Sequence, residues 1–357
     1  FYLTIPMPYS QTIALDAMGG DFGPDVIVPG AAQALEKIEG TKFIFFGDEK
    51  KITPVLAKHP KLKAVSSIVH TEKKIASSDG ISAAIRASKD SSMRLAIEAV
   101  KDGRAHSVVS AGNTGALMAL SKMILKTLPG IERPAIASLI PNANGSSVVL
   151  DLGANLECDA QVLVQFALLG AVYARVVRNI QNPTVGLLNV GTEEMKGHEE
   201  VREAAQILSS VKFHGKYHGF VEGNDITKGT VDVVVTDGFS GNIALKTAEG
   251  VGKLTGQFLK DAFKSSPLAM LGYLLASGAI KKLKSKLDPA KYNGGMFLGL
   301  DGVAVKSHGS SNIFGTENAI LVAADLVHNG FNKRVAAEMA EVMAQANITK
   351  AESAPAA

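Results

Sequence analysis

The chain is poor in cysteine and in aromatic residues. Its 357 residues include one cysteine, no tryptophan and 6% aromatics. The lone thiol, Cys158, forms no intramolecular disulfide and the histidines show no paired-ligand spacing, so we expect a reducing cytoplasmic setting and no metal site. With a formal net charge of only +3, the composition also argues against nucleic acid as a partner.

Several signature motifs are missing. The glycine-rich string at 19–23 has the wrong spacing for a dinucleotide-binding loop, and neither a P-loop nor a G-x-S-x-G elbow occurs. The start lacks the basic residues of a secretory signal, so we expect a flexible leader over 1–10 and a disordered tail over 350–357. These absences favour a small anion or an acyl group over a nucleotide as ligand.

The chain does contain five apolar runs that each end in a turn of small polar residues. They are 13–24, 107–117, 148–157, 185–197 and 231–246. Buried strands that end in such turns and resume as helices are typical of an open, mostly parallel α/β sheet, whose ligands bind beyond the carboxyl ends of the strands. We therefore expect the turns to converge on one site and their N–H groups to favour an anion such as phosphate.

One segment interrupts the alternation of strands and helices. Within a single catalytic domain over 11–349, residues 252–295 are predicted to form a helical insertion, after which a hairpin-like strand pair returns to the sheet. Residues 267–280 of this insertion carry no charge and precede a lysine cluster. The apolar stretch is too short to span a bilayer.

Seven blocks occur in the order and spacing of one known family: LDAMGGDFGPDVIVPGA, SAGNTGA, ERPAIA, LDLGAN, LLNVGTEEMKG, TDGFSGNIALK and VKSHGSS. Together they closely resemble the phosphate acyltransferases of bacterial phospholipid synthesis, the PlsX family. The resemblance implies a three-layer α/β/α sandwich similar to isocitrate and isopropylmalate dehydrogenases and phosphotransacetylases. It implies transfer of a long-chain fatty acyl group from acyl carrier protein to inorganic phosphate, giving acyl phosphate for a downstream membrane acyltransferase. It also implies a homodimer peripherally attached to the inner face of the cell membrane.

Direct attack by phosphate on a thioester needs no acyl-enzyme, metal or bound cofactor, but it needs groups that hold the anion and stabilise the oxyanion. Lys196, where the family motif places a lysine, is expected to do this, although from the sequence alone it could be a solvated loop residue. Asn242 is expected to donate to the carbonyl oxygen, or else to cap a helix. His308 is expected to orient phosphate or carry its proton, with Lys306 as countercharge, although a lone histidine is usually structural.

Nine further residues in the turns are candidates for phosphate or acyl contact: Gly19, Gly20, Asn113, Thr114, Gly191, Thr192, Gly238, Ser240 and Gly241. Asn113 and Thr114 begin a helix, so capping explains them as well as substrate contact does. The carboxylates of Asp16, Asp21 and Asp237 would repel phosphate, so we interpret these residues as shaping the loops.

The insertion offers two kinds of contact residue, the apolar Leu271, Leu274 and Leu275 and the basic Lys281, Lys282 and Lys284. An apolar stretch beside lysines can lie in the interface of an anionic membrane. Two alternatives stay open. A dimer interface would bury the same leucines, and the lysines could instead dock the acidic acyl carrier protein.

An acyltransferase is the leading hypothesis, with others kept open. The nearest alternative is a short-chain phosphate acyltransferase that uses coenzyme A. A metal- and NAD-dependent decarboxylating dehydrogenase is disfavoured because its cluster of aspartates is not found, and a membrane-associated scaffold would bind acyl chains without catalysis. Cys158 lacks a basic neighbour to lower the pKa of its thiol, so we favour packing over a role as acyl-enzyme nucleophile.

Overall fold

The computed structural model describes residues 10–287 and 294–352, with side chains except in 282–287 and 343–352. The described strands are β1 (Thr12–Asp16), β2 (Lys42–Gly47), β3 (Ser66–His70), β4 (Ser107–Ser110), β5 (Ala135–Asn142), β6 (Gly145–Leu150), β7 (Thr184–Leu188), β8 (Lys216–Val221), β9 (Val233–Val235), β10 (Gly295–Leu298) and β11 (Val303–Lys306).

The described helices are α1 (Pro24–Leu35), α2 (Glu49–Leu56), α3 (Pro60–Ala64), α4 (Ile81–Ala87), α5 (Ser92–Lys101), α6 (Thr114–Leu125), α7 (Ala160–Val177), α8 (Glu199–Ser210), α9 (Gly223–Lys228), α10 (Gly238–Lys264), α11 (Pro267–Leu287), α12 (Ile313–His328) and α13 (Phe331–Glu352).

One 11-stranded sheet runs through the molecule in the order β3-β2-β1-β4-β11-β10-β5-β6-β9-β7-β8. Strand β10 is antiparallel to both of its neighbours, and β5 is antiparallel to β6. Every other neighbouring pair is parallel. The mostly parallel sheet expected from the sequence is confirmed.

Helices cover both faces of the sheet. Because side chains alternate along a strand, Ile13 and Leu15 join the core beneath α1, α7 and α12, while Ala14 joins the core beneath α5 and α6. In the second half of the chain, α9 and the start of α10 cover the same face of the sheet as α5 and α6. Helix α7 is long and apolar enough to cross a membrane, but 78% of it is buried inside the protein. The three-layer sandwich is therefore confirmed.

The β5–β6 hairpin divides the polar turns into two groups. Only residues 143–144 separate these strands, which allows antiparallel pairing alone. The carboxyl ends of β1, β4 and β11 therefore lie at one edge of the sheet, and those of β6, β9 and β7 lie at the opposite edge. The five turns therefore do not share one edge of the sheet, because β6, β9 and β7 run antiparallel to β1, β4 and β11. Their convergence on one site stays a prediction.

The sequence did not reveal the outermost strands. β3 and β8 form the two edges of the sheet and are only partly buried, so neither carries a continuous apolar run. Between β3 and α5, residues 71–91 contain one described helix, α4.

The insertion is a hairpin of two long helices. It begins earlier than predicted, because α10 starts at Gly238 and passes through position 252 without a break. The rings of Phe263 and Tyr273 meet edge to face at 5.3 Å between centroids, which joins α10 to α11. Helix α13 continues to Glu352, past the predicted start of the tail at 350. Residues 1–9 of the predicted leader and 353–357 of the tail lie outside the described residues.

Replacing Gly170 by valine is expected to destabilise the protein by about 1–3 kcal/mol through overpacking. A Cβ at this position of α7 would lie 2.9 Å from Leu150 Cδ2 and 2.5 Å from Val233 Cγ1, both in the sheet beneath the helix. Urea unfolding measures the change. Gly272→Ala in α11, where a Cβ would meet nothing within 4 Å, is the matched control and should be neutral or slightly stabilising. Equal losses in both variants would contradict this account of α7.

Candidate functional site

The first group comprises the turns after β1, β4 and β11, and it is built around a buried carboxylate. Asp16 is 2% exposed and accepts a hydrogen bond of 2.6 Å from the Ser110 hydroxyl at the end of β4. Burial raises the pKa of Asp16, against the lowering effects of hydrogen bonds from Ser110 and Ser92 and of the Lys306 charge. Asp16 therefore joins neighbouring turns, in keeping with a loop-shaping role.

Glycines in the first turn permit close packing. A Cβ on Gly19 would lie 2.8 Å from Asp16 Oδ2, and one on Gly20, with φ +78°, would lie 2.8 Å from the Gly309 carbonyl oxygen. The Gly19 N–H donates to the Asp16 carbonyl at 3.3 Å. This packing explains the choice of glycine, while phosphate contact by Gly19 and Gly20 stays a prediction.

Asn113 is the N-cap of α6. Its Oδ1 accepts the Ala116 N–H at 2.9 Å, and its amide donates to the carbonyls of Ser77 and Asp79 at 3.1 and 2.9 Å. Both ends of the amide are thus engaged within the protein, so the capping alternative describes Asn113 in this conformation. Thr114 is exposed, and its hydroxyl makes no hydrogen bond to the described residues.

Lys306 holds the first group together from the end of β11. Its ammonium donates to the Ala111 carbonyl at 3.3 Å and to the Ser307 carbonyl. Burial lowers the pKa of Lys306 from 10.5 to about 8, although the charges of Asp16 and Asp21 oppose the shift. Lys306 is accordingly a countercharge to these carboxylates. Its predicted effect on a bound anion near His308 would therefore be indirect.

His308 lies exposed in the turn after β11. Its Nδ1 accepts the Ser310 N–H at 3.3 Å and lies 3.0 Å from the Ser310 hydroxyl, which assigns the proton of the neutral ring to Nε2. Partial burial, followed by the charge of Lys306, lowers the pKa of His308. A neutral ring at pH 7 suits an orienting hydrogen-bond donor better than a fixed positive charge.

The second group comprises the turns after β6, β9 and β7, and Asp151 organises it. This carboxylate is fully buried and accepts hydrogen bonds of 2.7–3.2 Å from the Ile136 N–H of β5, from the backbone N–H groups of residues 153–155 in the turn and from the Asn155 side chain. Burial raises the pKa of Asp151, while these hydrogen bonds lower it. Neither Asp151 nor Asn155 was among the predicted site residues. A lone aspartate between a strand and a Gly-Ala-Asn turn is the signal that could have identified them.

The start of α10 rests directly on that turn. The Gly238 N–H donates to the Asn155 carbonyl at 2.6 Å, and a Cβ on Gly241 would collide with the Asp151 carbonyl oxygen. Asp237 is the N-cap and accepts both the N–H and the hydroxyl of Ser240, at 2.7 and 3.0 Å. In this conformation the amides of Gly238, Ser240 and Gly241 all donate within the protein. Their contact with phosphate stays a prediction.

Asn242 is free to meet a substrate. It lies in the first turns of α10 and is exposed, with its side chain next to Gly153 of the Asp151 turn. Because Asp237 caps the helix, the capping alternative for Asn242 is wrong. Its amide makes no hydrogen bond to the described residues, so it can donate to a carbonyl oxygen.

Lys196 is presented by a compact loop after β7. The Asn189 amide donates to the Lys196 carbonyl at 3.0 Å, and the Lys196 N–H donates to the Glu193 carbonyl at 3.0 Å. Gly197, with φ +86°, packs its α-carbon against the Asn189 side chain. The Lys196 ammonium is exposed and has no ion pair among the described residues. Of the other predicted loop residues, Gly191 is buried and Thr192 is exposed.

The structure thus brings Lys196 and Asn242 to the ends of adjacent strands, β7 and β9, and places His308 in the other group. Helix α10 connects the two groups. His308 is within electrostatic range of Lys246, Glu249 and Lys253, which lie in the three turns of α10 that follow Asn242. The helix therefore starts at the second group and passes the first.

The thiol of Cys158 is poorly suited to nucleophilic attack. Burial and the negative charges of Asp151 and Asp237 raise its pKa from 9.0 to about 12. A thiol with this pKa contains almost no thiolate at pH 7, so the geometry agrees with the packing interpretation. Among residues 10–287 and 294–352, no three His, Cys, Asp or Glu side chains are grouped as metal ligands would be.

Comparison with known proteins agrees with the family resemblance. Residues 11–334 match the model of a family described as fatty acid synthesis protein. A phosphate acyltransferase of Rhodospirillum centenum is 59% identical over 332 residues, covering 93% of this chain and 94% of its own. Phosphate acyltransferases of Rhodospirillum rubrum and Caulobacter vibrioides are 53% and 51% identical, with 96% of each relative covered.

Solved structures of similar fold are phosphotransacetylases. The Streptococcus pyogenes enzyme superposes with a TM-score of 0.63 at 18% identity, covering 89% of this chain and 94% of its own. The EutD phosphotransacetylase from Staphylococcus aureus gives 0.60, with the same identity and coverage. These likenesses support the fold, including the three-layer arrangement around one long sheet.

The unfolding free energy is expected to rise between pH 8 and 10.5 through Lys306. The folded protein releases the Lys306 proton near pH 8, whereas the unfolded chain keeps it to about 10.5, so the unfolded state binds more protons in this window. Urea unfolding at pH 7.5 and 9.5 should show a larger gain for the wild type than for Lys306→Met. Identical gains would show that burial does not perturb this ammonium.

Proposed function

The chain belongs to the phosphate acyltransferase family, and we propose from this premise that Lys196 and Asn242 carry out acyl transfer to inorganic phosphate, with acyl carrier protein as the donor of a long acyl chain. The enzyme is an acyltransferase of fatty acid and phospholipid synthesis. The product is an acyl phosphate, a mixed anhydride suited to a further acyltransferase. The donor, its chain length and the consumer of the product are the parts that this proposal adds.

The chemistry is one displacement through a tetrahedral intermediate. A phosphate oxygen attacks the thioester carbonyl carbon, and the carbonyl oxygen becomes an oxyanion. As the carbonyl re-forms, the carbon–sulfur bond breaks, and the sulfur leaves as a thiolate that takes a proton from water. The protein must hold phosphate against the carbonyl and stabilise the oxyanion, which calls for a cation and a hydrogen-bond donor already in place.

One observation carries the assignment. Lys196 and Asn242 follow adjacent parallel strands, both are exposed, and neither the ammonium nor the amide is engaged by another described side chain. The polar residues around them are engaged, because Asp151, Asp237 and Asn189 all hold the backbone of these turns. The ammonium and the amide therefore make no structural bonds to the described side chains, while the backbone of their loops is held in place. Such groups are preorganised to stabilise an anionic transition state.

The helical hairpin supports attachment to a membrane. Leu271, Leu274 and Leu275 of α11 are 54%, 67% and 83% exposed, and Lys281 farther along the helix is exposed as well. The side chains of Lys282 and Lys284 lie outside the described part of the chain. Apolar side chains followed by a cation fit the interface of an anionic bilayer. We infer a peripheral location at the inner face of the cell membrane, where acyl phosphate would reach a membrane acyltransferase.

Removing both proposed groups should abolish most of the activity. Lys196→Ala and Asn242→Ala are each expected to lower kcat by about 10²–10³, as loss of one oxyanion donor does. The assay is phosphate-dependent release of carrier-protein thiol together with formation of acyl phosphate. Lys58→Ala, on an exposed lysine after α2, is the control and should leave the rate unchanged.

Three results would count against the assignment. Full activity in the double variant would show that the site lies elsewhere. An acylated protein trapped without phosphate would replace direct attack by a covalent route. Turnover of acetyl-coenzyme A without turnover of acyl carrier protein thioesters would make the protein a short-chain enzyme, and no acyl transfer from any donor would leave a binding scaffold.

Polar substitution of the hairpin tests the membrane. Changing Leu271, Leu274 and Leu275 together to serine should reduce flotation with vesicles of anionic phospholipid by about tenfold or more, because the apolar area that enters the interface is removed. Vesicles of neutral lipid are the control, because they measure the non-specific part of the flotation. A second triple variant with polar substitutions on α10 is then not needed. Unchanged flotation with loss of a dimer on a sizing column would instead assign these leucines to a homodimer interface.

A further inference from the structure

Helix α10 carries a straight row of lysines that starts beside Asn242. Lys246 lies one turn after Asn242, and Lys253 and Lys260 follow at intervals of seven residues. Seven residues bring a helix back to the same face with a drift of only about 20°. Lys264, one further turn along, completes the row, and all four side chains are exposed. We call this row the α10 lysine face.

The α10 lysine face is almost free of compensating acid. Its one carboxylate is Glu249, which pairs with Lys246 at 3.0 Å. The other acid of the helix, Asp261, accepts from Gln257 at 2.8 Å and points about 100° away from Lys260. Lys253, Lys260 and Lys264 have no ion pair among the described residues. Their charges are therefore available to a partner.

This face is directed into the site. Lys246 and Lys253, together with Glu249, act electrostatically on His308 in the first group of turns. Three exposed apolar residues in the middle of α10, Val251, Leu254 and Phe258, lie about 100–160° around the helix from the row. The lysine side chains therefore lie on the face of α10 that is turned toward His308. The apolar side chains lie on a different face of the helix.

We propose that the α10 lysine face is the docking surface for the acidic carrier protein that delivers the acyl thioester. The proposal rests on the proposed function and adds the place where the donor binds. Opposite charge draws the carrier to the row, and the row ends at the residue that meets the carbonyl oxygen. At 1.5 Å per residue, Lys253 and Lys260 lie about 16 and 27 Å along the axis from Asn242, so an acyl group on an extended arm spans the gap.

A lipid surface fits these lysines less well. Lipid would have to reach a face that looks toward His308, whereas the apolar side chains of α11 and the outer face of α10 are open to it. The α10 lysine face and the membrane segment are then two surfaces of one hairpin, which would allow the enzyme to receive its donor while it is attached to lipid.

The test reverses two charges far enough from the chemistry to leave it intact. In Lys260→Glu/Lys264→Glu, which spares Lys253 beside His308, the KM for acyl carrier protein is expected to rise at least tenfold at low ionic strength, with kcat unchanged. The same variant should turn over an acyl pantetheine thioester, which has no protein, at the wild-type rate. Added salt should raise the wild-type KM for the carrier steeply and that of the variant little.

Controls keep the outcomes separate. Lys58→Glu/Lys61→Glu makes the same charge change on α2–α3 and should leave both donors unaffected. An unchanged KM for the carrier in the variant, equal losses with both donors, loss of vesicle flotation alone, or a changed oligomeric state would each overturn the docking surface. Failure of the wild type to use any carrier-protein donor would refute the proposed function itself, and it is visible before any variant is made.

Discussion

The buried carboxylate of Asp151 is the interaction on which the second group of turns depends. It gathers the N–H groups of the turn after β6 and holds Asn155, whose carbonyl receives the first N–H of α10. Without a buried acceptor at this point, several donors would be left unsatisfied in the interior, at a cost of about 1–3 kcal/mol each. The position of Asn242 is thus set by a residue that never meets the substrate.

Reversal of the sheet at β5–β6 sets the other main constraint. In a sheet whose parallel strands all ran one way, the polar turns would share one edge, and no connecting element would be needed. Here Lys196 and Asn242 stand at one edge, and Asp16, Lys306 and His308 at the other. A single long helix therefore has to relate the two groups, and α10 does so by passing His308 soon after it leaves Asn242.

Much of this architecture could be read from the sequence, and the exceptions have physical reasons. The buried strands β1, β4 and β9 carry continuous apolar runs and were placed closely, while the edge strands β3 and β8 lack such a signal. The family resemblance is confirmed. Sequence spacing could not separate amides that serve the turn from amides left for a ligand, because Asn113 and Asn242 look alike until the hydrogen bonds of each are known.

Helix α10 also behaves as a rigid lever. Its 27 residues make a rod of about 40 Å that is clamped at Gly238 and Gly241, where almost no space separates the helix from the turn beneath it, and that also packs on the core through Ala244 and Leu245. A tilt of five degrees at the clamp would swing the far end by roughly 3–4 Å over that length. A displacement of the far end would therefore be passed to the contacts of Gly238 and Gly241, next to the place where the reacting carbonyl would sit.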